Sequence, residues 1–262
     1  MQSLKDLLDK VSCGALSVIE AERMLRLFLV DELGCLAKLD GSRELRSGVP
    51  EVVLAEGKSP VDVVEICRVM LADHGRVIVS RASSAHFEAI TGALLDDDLS
   101  VEINVRAKMA VLKKKTYFVS LSGGRVGVLT AGTSDISVAE EVRVMAQEMG
   151  CVITASYDVG VAGLHRLFEP LKELIRADVD VVVVVAGREG ALVSVVSGLV
   201  DVPVIAVPAS NSYGFGAGGV GALMAMLQSC SLGLAVVNID GGVAAGSVAA
   251  LIANRAAKFR IK

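Results

Sequence analysis

The residues of this chain that could do chemistry sit in glycine-bearing loops. Glu189 stands between two glycines in Ala186-Gly187-Arg188-Glu189-Gly190, directly after a run of five valines. Packing explains a carboxylate poorly at the end of so apolar a run, and a general base or a ligand contact explains it better. A first-turn glutamate favoured by the helix dipole is the plainer alternative. Thr130, Gly132, Thr133, Ser134 and Asp135 place hydroxyls and a carboxylate just ahead of a helical pattern. Small residues there let a ligand approach the backbone, and free helix N–H groups favour an anion. An ordinary polar turn reads equally well. The loop is not a Rossmann GxGxxG, and no Walker lysine follows it. Asp158 to Arg166 carries Gly160, Gly163, His165 and Arg166, the last able to pair with phosphate and the histidine able to move a proton, unless both are surface groups. A fourth loop holds Ser210, Tyr213, Gly214, Gly216, Gly218 and Gly219. Because it lies between a strand and a helix of one domain, a ligand clamp suits it better than a linker. Cys230 closes an apolar helical segment from Leu223. A small core residue is the plain reading, and a helix C-terminus does not lower a thiol pKa.

The elements that must position these loops follow from periodicity. From Ser122 onward strand and helix alternate strictly, with strands at 125–130, 151–157, 180–186, 203–207 and 233–238. Helical segments fall near 138–149, 164–176, 190–199 and 219–231, with a last one from Gly242. This predicts an α/β fold with a doubly wound parallel sheet over 122–262, whose ligands bind beyond the carboxyl ends of the strands. Ser137 and Glu140 read as a capping box ahead of a buried stripe of Val138, Val142, Met145 and Met149. Residues 1–121 read as a smaller α+β domain. It has two helices within 1–34 (Leu4, Leu7, Leu8 and Val11 on one face, a Ser17/Glu20 capping box on the second) and an irregular stretch from Cys35 to Gly57 ending in a short strand. A helix over 59–74 with Pro60 at its first position, a strand at 76–80, a helix at 83–94 and edge strands within 101–119 complete it.

Composition narrows the class. Of the 262 residues 53% are hydrophobic but only 3% aromatic, so the core is Val, Ala and Leu, as close-packed parallel strands require. A net charge of −4 argues against nucleic acid or an anionic membrane surface as partner. The N-terminus lacks the pattern of a signal peptide, and runs such as Val179 to Ala186 are too short to span a bilayer. Five cysteines (13, 35, 67, 151 and 230) show no CxxC spacing, and His74, His86 and His165 are dispersed. Neither a zinc site nor a disulfide framework is expected, and a reducing cytoplasm is. Arg43, Arg46 and Lys58 could reach a phosphate or substrate carboxylates, or form a solvated face.

Taken together, the loops resemble the LarB family of nickel-pincer cofactor biosynthesis proteins. The resemblance is carried by Gly124 to Asp135, Asp158 to Leu167, Val184 to Leu192, Asp201 to Pro208, Cys230 to Asp240 and, in the N-terminal half, Leu39 to Lys58. The C-terminal domain is similar to phosphoribosylaminoimidazole (AIR) carboxylase, which implies a flavodoxin-like sheet and a homo-octamer. The resemblance implies carboxylation of the pyridinium ring of nicotinic acid adenine dinucleotide at carbon 5, with carbon dioxide or bicarbonate as co-substrate and magnesium as the ion. It also implies hydrolysis of the phosphoanhydride, giving pyridinium-3,5-biscarboxylic acid mononucleotide and AMP. Cys230 carries over as the catalytic nucleophile and Glu189 as the acid/base. A cation or polar contact beside Cys230 is then expected. Two positions depart from the family's pattern: Asn211 in the glycine loop, and Gly241 where the family usually has Asn. A purine-pathway AIR carboxylase or mutase is the first alternative, but that family uses a histidine in a Gly/Ala-rich loop where this chain has none. A non-catalytic nucleotide-binding protein is the second.

Overall fold

The computed structural model describes residues 4–25, 31–33, 37–39 and 43–260. Cys35 and the Asp40–Ser42 part of the N-terminal motif lie outside the described residues. In chain order the first elements are α1 (Leu4–Ser12), α2 (Val18–Leu25), β1 (Asp31–Leu33), β2 (Ala37–Leu39) and α3 (Arg43–Ser47). They are followed by β3 (Val52–Leu54), α4 (Pro60–His74), β4 (Arg76–Ser80), α5 (Ser84–Leu94), β5 (Leu99–Asn104) and β6 (Met109–Lys114). The start of α2 is fixed as its sequence predicts: Ser17 Oγ accepts from the Glu20 N–H, and Glu20 Oε2 accepts in return from the Ser17 N–H and hydroxyl. Ser59 caps α4 by accepting from the Asp62 N–H at 3.2 Å, Pro60 opens the helix, and Gly75 closes it at φ 72.

β3, β4, β6 and β5 form a four-stranded sheet in that order. Only β3–β4 is parallel; β6 is antiparallel to both neighbours. The expectation of edge strands within 101–119 therefore holds for β5 and fails for β6. The run Met109 to Leu112 is wholly buried because it packs on both faces, and this draws β6 into the sheet.

The second half alternates as predicted: β7 (Arg125–Thr130), α6 (Ile136–Glu148), β8 (Val152–Ser156), α7 (Phe168–Arg176), β9 (Val181–Ala186), α8 (Ala191–Ser197), β10 (Val204–Pro208), α9 (Val220–Leu227), β11 (Leu234–Val236) and α10 (Gly242–Arg260). Its five strands are all parallel, in the order β11-β10-β9-β7-β8. This is the flavodoxin-like doubly wound order, with its switch point between β7 and β9.

The layers follow from which side chains share a core. Val181, Val183 and Val185 of β9 face α6 and α10, while Val182 and Val184 face α7, α8 and α9. The far side of α6 meets Ile78, Met109 and Val111 of the other sheet, whose opposite face carries α4 and α5. The order is helix, sheet, helix, sheet, helix, with the α6/α10 layer shared by both sheets. Close approach of α10 to α6 depends on Gly246: a Cβ there would lie 2.8 Å from the Val142 carbonyl oxygen and 2.9 Å from Met145 Cβ.

Polar ties cross the same seam. Glu148, itself buried, accepts from Lys113 Nζ at 2.7 Å, and its backbone carbonyl accepts from Arg76 at 2.5 Å. Glu140 accepts from Asn104, Arg143 and Tyr157. Burial pushes its carboxyl up, but these hydrogen bonds win and hold it at about 2. The capping-box expectation for Glu140 fails for this reason. The helix begins at Ile136 after a single 3₁₀ turn, Thr133–Asp135, so Glu140 lies a turn too deep and faces the seam.

Candidate functional site

A cleft of about 330 Å³ opens at the switch point, beyond the carboxyl ends of β7 and β9. Four loops line it. Gly132, Ser134 and Asp135 come from the loop after β7; Gly160 and Arg166 from that after β8; Gly187, Arg188 and Glu189 from that after β9; and Asn211 and Tyr213 from that after β10.

Asp135 anchors the floor. It is 3% exposed, its Oδ2 accepts from the Gly132 N–H at 2.8 Å, and its Oδ1 accepts from Asn211 Nδ2 at 2.6 Å. Burial raises its carboxyl pKa, opposed by the Asn211 hydrogen bond and by the Gly132 and Gly187 N–H groups. Gly160 is required by close approach, since a Cβ there would stand 2.5 Å from the Ala131 carbonyl oxygen. Arg166 pairs with Asp158 at 2.8 Å on the rim. The strain of a left-handed Arg188 (φ 54) turns that side chain over the Tyr213 ring, 4.1 Å from its centroid, and places Glu189 at the mouth beside it. Such a cleft can hold an anionic ligand against Arg166 and Arg188 while Glu189 exchanges a proton with it.

Several expected residues lie elsewhere. Thr130 is fully buried, and its Oγ1 accepts from the Asp158 N–H at 2.9 Å, tying two loops together beneath the cleft. Thr133, Gly163 and His165 do not line the cleft. Gly190, at φ 66, packs on Met226 and starts α8. Ser210 donates its N–H to Asp240 and faces a neighbouring pocket. The glycine loop folds into a 3₁₀ turn, Gly214–Gly219, with Gly214, Gly218 and Gly219 at positive φ; these glycines, like Gly216, shape the return into α9 and leave the cleft wall to Asn211 and Tyr213. Arg43 pairs with Glu51 at 3.0 Å and Lys58 donates to the Leu54 carbonyl at 2.7 Å. Neither lines this cleft, nor does Arg46.

Cys230 is exposed and lies past the end of α9, which stops at Leu227 because Gln228 leaves the helical conformation. It is neither sealed in an apolar core nor, among the described residues, given a cation partner. The neighbouring serines hold its loop against α8: Ser229 Oγ is 2.9 Å from Ser194 Oγ, and Ser231 Oγ donates to the Ser194 carbonyl at 2.8 Å. Its loop enters β11 at Leu234, which shares the level of Val204 and Val182 at the amino ends of the strands. Ala186 lies four residues further along β9, about 13 Å at ~3.3 Å per residue. Glu189 and Cys230 therefore occupy opposite ends of the sheet within one chain. Asn211 and Arg188 were missed as cleft residues by sequence reasoning. The signal was present in Asn211, a polar residue in a loop of small ones.

Comparison with known proteins places this geometry. Residues 30–114 match the LarB/PurE-like N-terminal domain, and residues 125–260 match AIR carboxylase. An uncharacterized protein of Methanocaldococcus jannaschii is 42% identical over 96% of this chain and 97% of its own length. A probable N5-carboxyaminoimidazole ribonucleotide mutase of Methanothermobacter thermautotrophicus is 32% identical over 49% of this chain and 37% of its own length. The four-loop cleft at the switch point is thus that of an AIR carboxylase domain, and the chain belongs to the AIR carboxylase family, in the LarB-like branch that carries the LarB/PurE-like N-terminal domain.

Proposed function

We propose that this carboxylase/mutase-family protein carboxylates the pyridinium ring of nicotinic acid adenine dinucleotide and hydrolyses its phosphoanhydride, in nickel-pincer cofactor biosynthesis. The observation that carries this reading over a purine-pathway mutase lies in the loop after β9: a carboxylate, Glu189, stands at the cleft, and no histidine lines it. His86 is committed to capping α5 and to the Lys58 carbonyl.

The chemistry assigns each group a task. A pyridinium ring is electron-poor and does not attack carbon dioxide. Addition of the Cys230 thiolate at ring carbon 4 consumes the ring's positive charge and makes carbon 5 the nucleophilic end of an enamine. Carbon 5 bonds to carbon dioxide, Glu189 takes the proton from carbon 5, and expulsion of the thiolate from carbon 4 restores the aromatic ring. In the second reaction water attacks phosphorus and the anhydride P–O bond breaks, releasing AMP.

Because Cys230 sits at the other end of the sheet, this reading requires a second copy of the chain to bring its thiol to the cleft. Exposed Met224, Leu227 and Leu232 flank Cys230, and Phe215 is fully exposed; apolar surface of this kind suits burial between copies. Magnesium meets no protein cage among the described residues. The Asp135 oxygens already accept from Gly132 and Asn211, so an ion would arrive on the substrate's phosphates.

Incubation of the protein with nicotinic acid adenine dinucleotide, bicarbonate and magnesium, followed by mass analysis, tests the reading. A product one carboxyl heavier with AMP released is expected. Unchanged dinucleotide from folded protein overturns it.

A further inference from the structure

A second pocket, about 250 Å³, lies beside the switch-point cleft and shares Ser134 and Asn211 with it as a common wall. Its construction differs. One side is the carboxyl ends of the parallel strands, with Ser137, Ser210 and Asp240; the other is the N-terminal sheet, with Arg81 just after β4 and Arg106 and Lys108 in the β5–β6 turn. Arg81 is spent on structure: it pairs with Glu56 at 3.4 Å and donates to the Asp240 carbonyl at 3.3 Å, clasping the two halves. Arg106 and Lys108 are exposed and make no ion pair among the described residues.

Three of the seven non-glycine residues at positive φ among the described residues, Arg81, Lys108 and Asp240, line this pocket. Such conformations cost free energy and collect where a side chain must point somewhere specific. Lys108, at φ 52, closes the β5–β6 turn and lines the pocket within electrostatic reach of Glu141. Of the three acids on the wall, Glu56 pairs with Arg81, Asp240 accepts from the Ser210 N–H, and burial raises Glu141 to about 7, so that it is only partly ionised at neutral pH.

We infer that this pocket is an anion subsite supplied by the N-terminal sheet, in which Arg106 and Lys108 hold the phosphate of the adenylate half of a dinucleotide whose other half occupies the switch-point cleft. The inference rests on the reading given under Proposed function for the ligand's identity. The hydroxyls of Ser134, Ser137 and Ser210 suit a phosphoribosyl group, and the shared wall lets one molecule reach both pockets.

Equilibrium binding of AMP and, separately, of nicotinic acid mononucleotide to the full chain tests this. The variants are Arg106→Gln/Lys108→Gln and a control of equal charge change at exposed positions outside both pockets, Lys115→Gln/Arg176→Gln. All four residues are exposed, so the fold is retained. The first variant is expected to weaken AMP at least tenfold and to leave nicotinic acid mononucleotide within twofold, and the control is expected to change neither. Unchanged AMP affinity in the first variant, or an equal loss for both ligands or in the control, overturns the subsite. The two readings fail separately. A protein that binds AMP through these cations but leaves the dinucleotide uncarboxylated keeps the pocket and loses the activity. One that carboxylates it with AMP binding indifferent to both cations keeps the activity and loses the pocket.

Discussion

Asn211 Nδ2 donates to Oδ1 of Asp135 at 2.6 Å, joining the loop after β10 to the loop after β7 across the wall that divides the two pockets. The bond satisfies a carboxylate that is almost wholly buried. Asn211→Ala removes the donor and leaves that oxygen unsatisfied, at a cost of about 1–3 kcal/mol. Urea unfolding at neutral pH is expected to show that loss, accompanied by weaker ligand binding. Asn211→Asp, which sets two carboxylates against each other, is expected to cost more.

Glu189 and Cys230 can be separated by complementation. Glu189→Gln is expected to lower carboxylation by a factor of about 10² to 10⁴, the usual range for a lost acid/base group, and Cys230→Ala, which removes the nucleophile, by at least as much, both with melting temperatures near that of the unaltered protein. Both residues are surface-accessible and neither is a packing element. If the thiol serves the cleft of another copy, refolding the two inactive variants together recovers part of the activity, because some mixed pairs contain one intact Glu189 and one intact Cys230. Recovery that stays at the level of the separate variants counts against a site shared between copies.

Glu141 gives the fold a pH dependence of definite sign. Its carboxyl is raised from 4.5 to about 7, chiefly by burial, so the folded protein holds a proton that the unfolded chain releases. Stability from this group is full below about 4.5, falls as pH rises, and is lost above about 7. At about 1.4 kcal/mol per unit the full swing is about 3 kcal/mol. Glu141→Gln keeps the shape without the titration. It is expected to be more stable than the unaltered protein at pH 8 by up to that amount and equal to it at pH 4.5, as read from urea midpoints at the two pH values.

Gly246→Val tests the contact between α6 and α10. The added side chain meets the Val142 carbonyl and Met145 Cβ inside van der Waals distance, so the helices must part. Overpacking of this kind costs about 1–3 kcal/mol, and thermal unfolding measures it.

Much of the C-terminal half was legible because its signals are local. Five β-branched valines in a row, bounded by Asp180 and Gly187, read as a strand buried on both faces, and β9 is that strand. Strict alternation of strand and helix then dictates a parallel sheet and puts the loops that hold Glu189 and Asp135 at its carboxyl edge. Non-local geometry escaped. The same alternation puts Cys230, past α9 and just ahead of β11, at the amino edge of the sheet, where the register of β11 has it; what it does not show is how that edge could reach a cleft at the other. Glu140 carried the pattern of a cap, yet its partners Asn104 and Tyr157 lie on other elements. Arg106 and Lys108 carry no signal in a stretch that reads only as edge strands, and only the fold shows what their turn overhangs.

The α6/α10 layer has a further consequence. A helix layer packed on both sides has no free face on which to slide, so the gap between the basic β5–β6 turn and Glu189 is held by solid packing. If one ligand bridges the two pockets, the molecule carries a ruler that selects it by its length as well as by its charges. A mononucleotide can satisfy only one end of it.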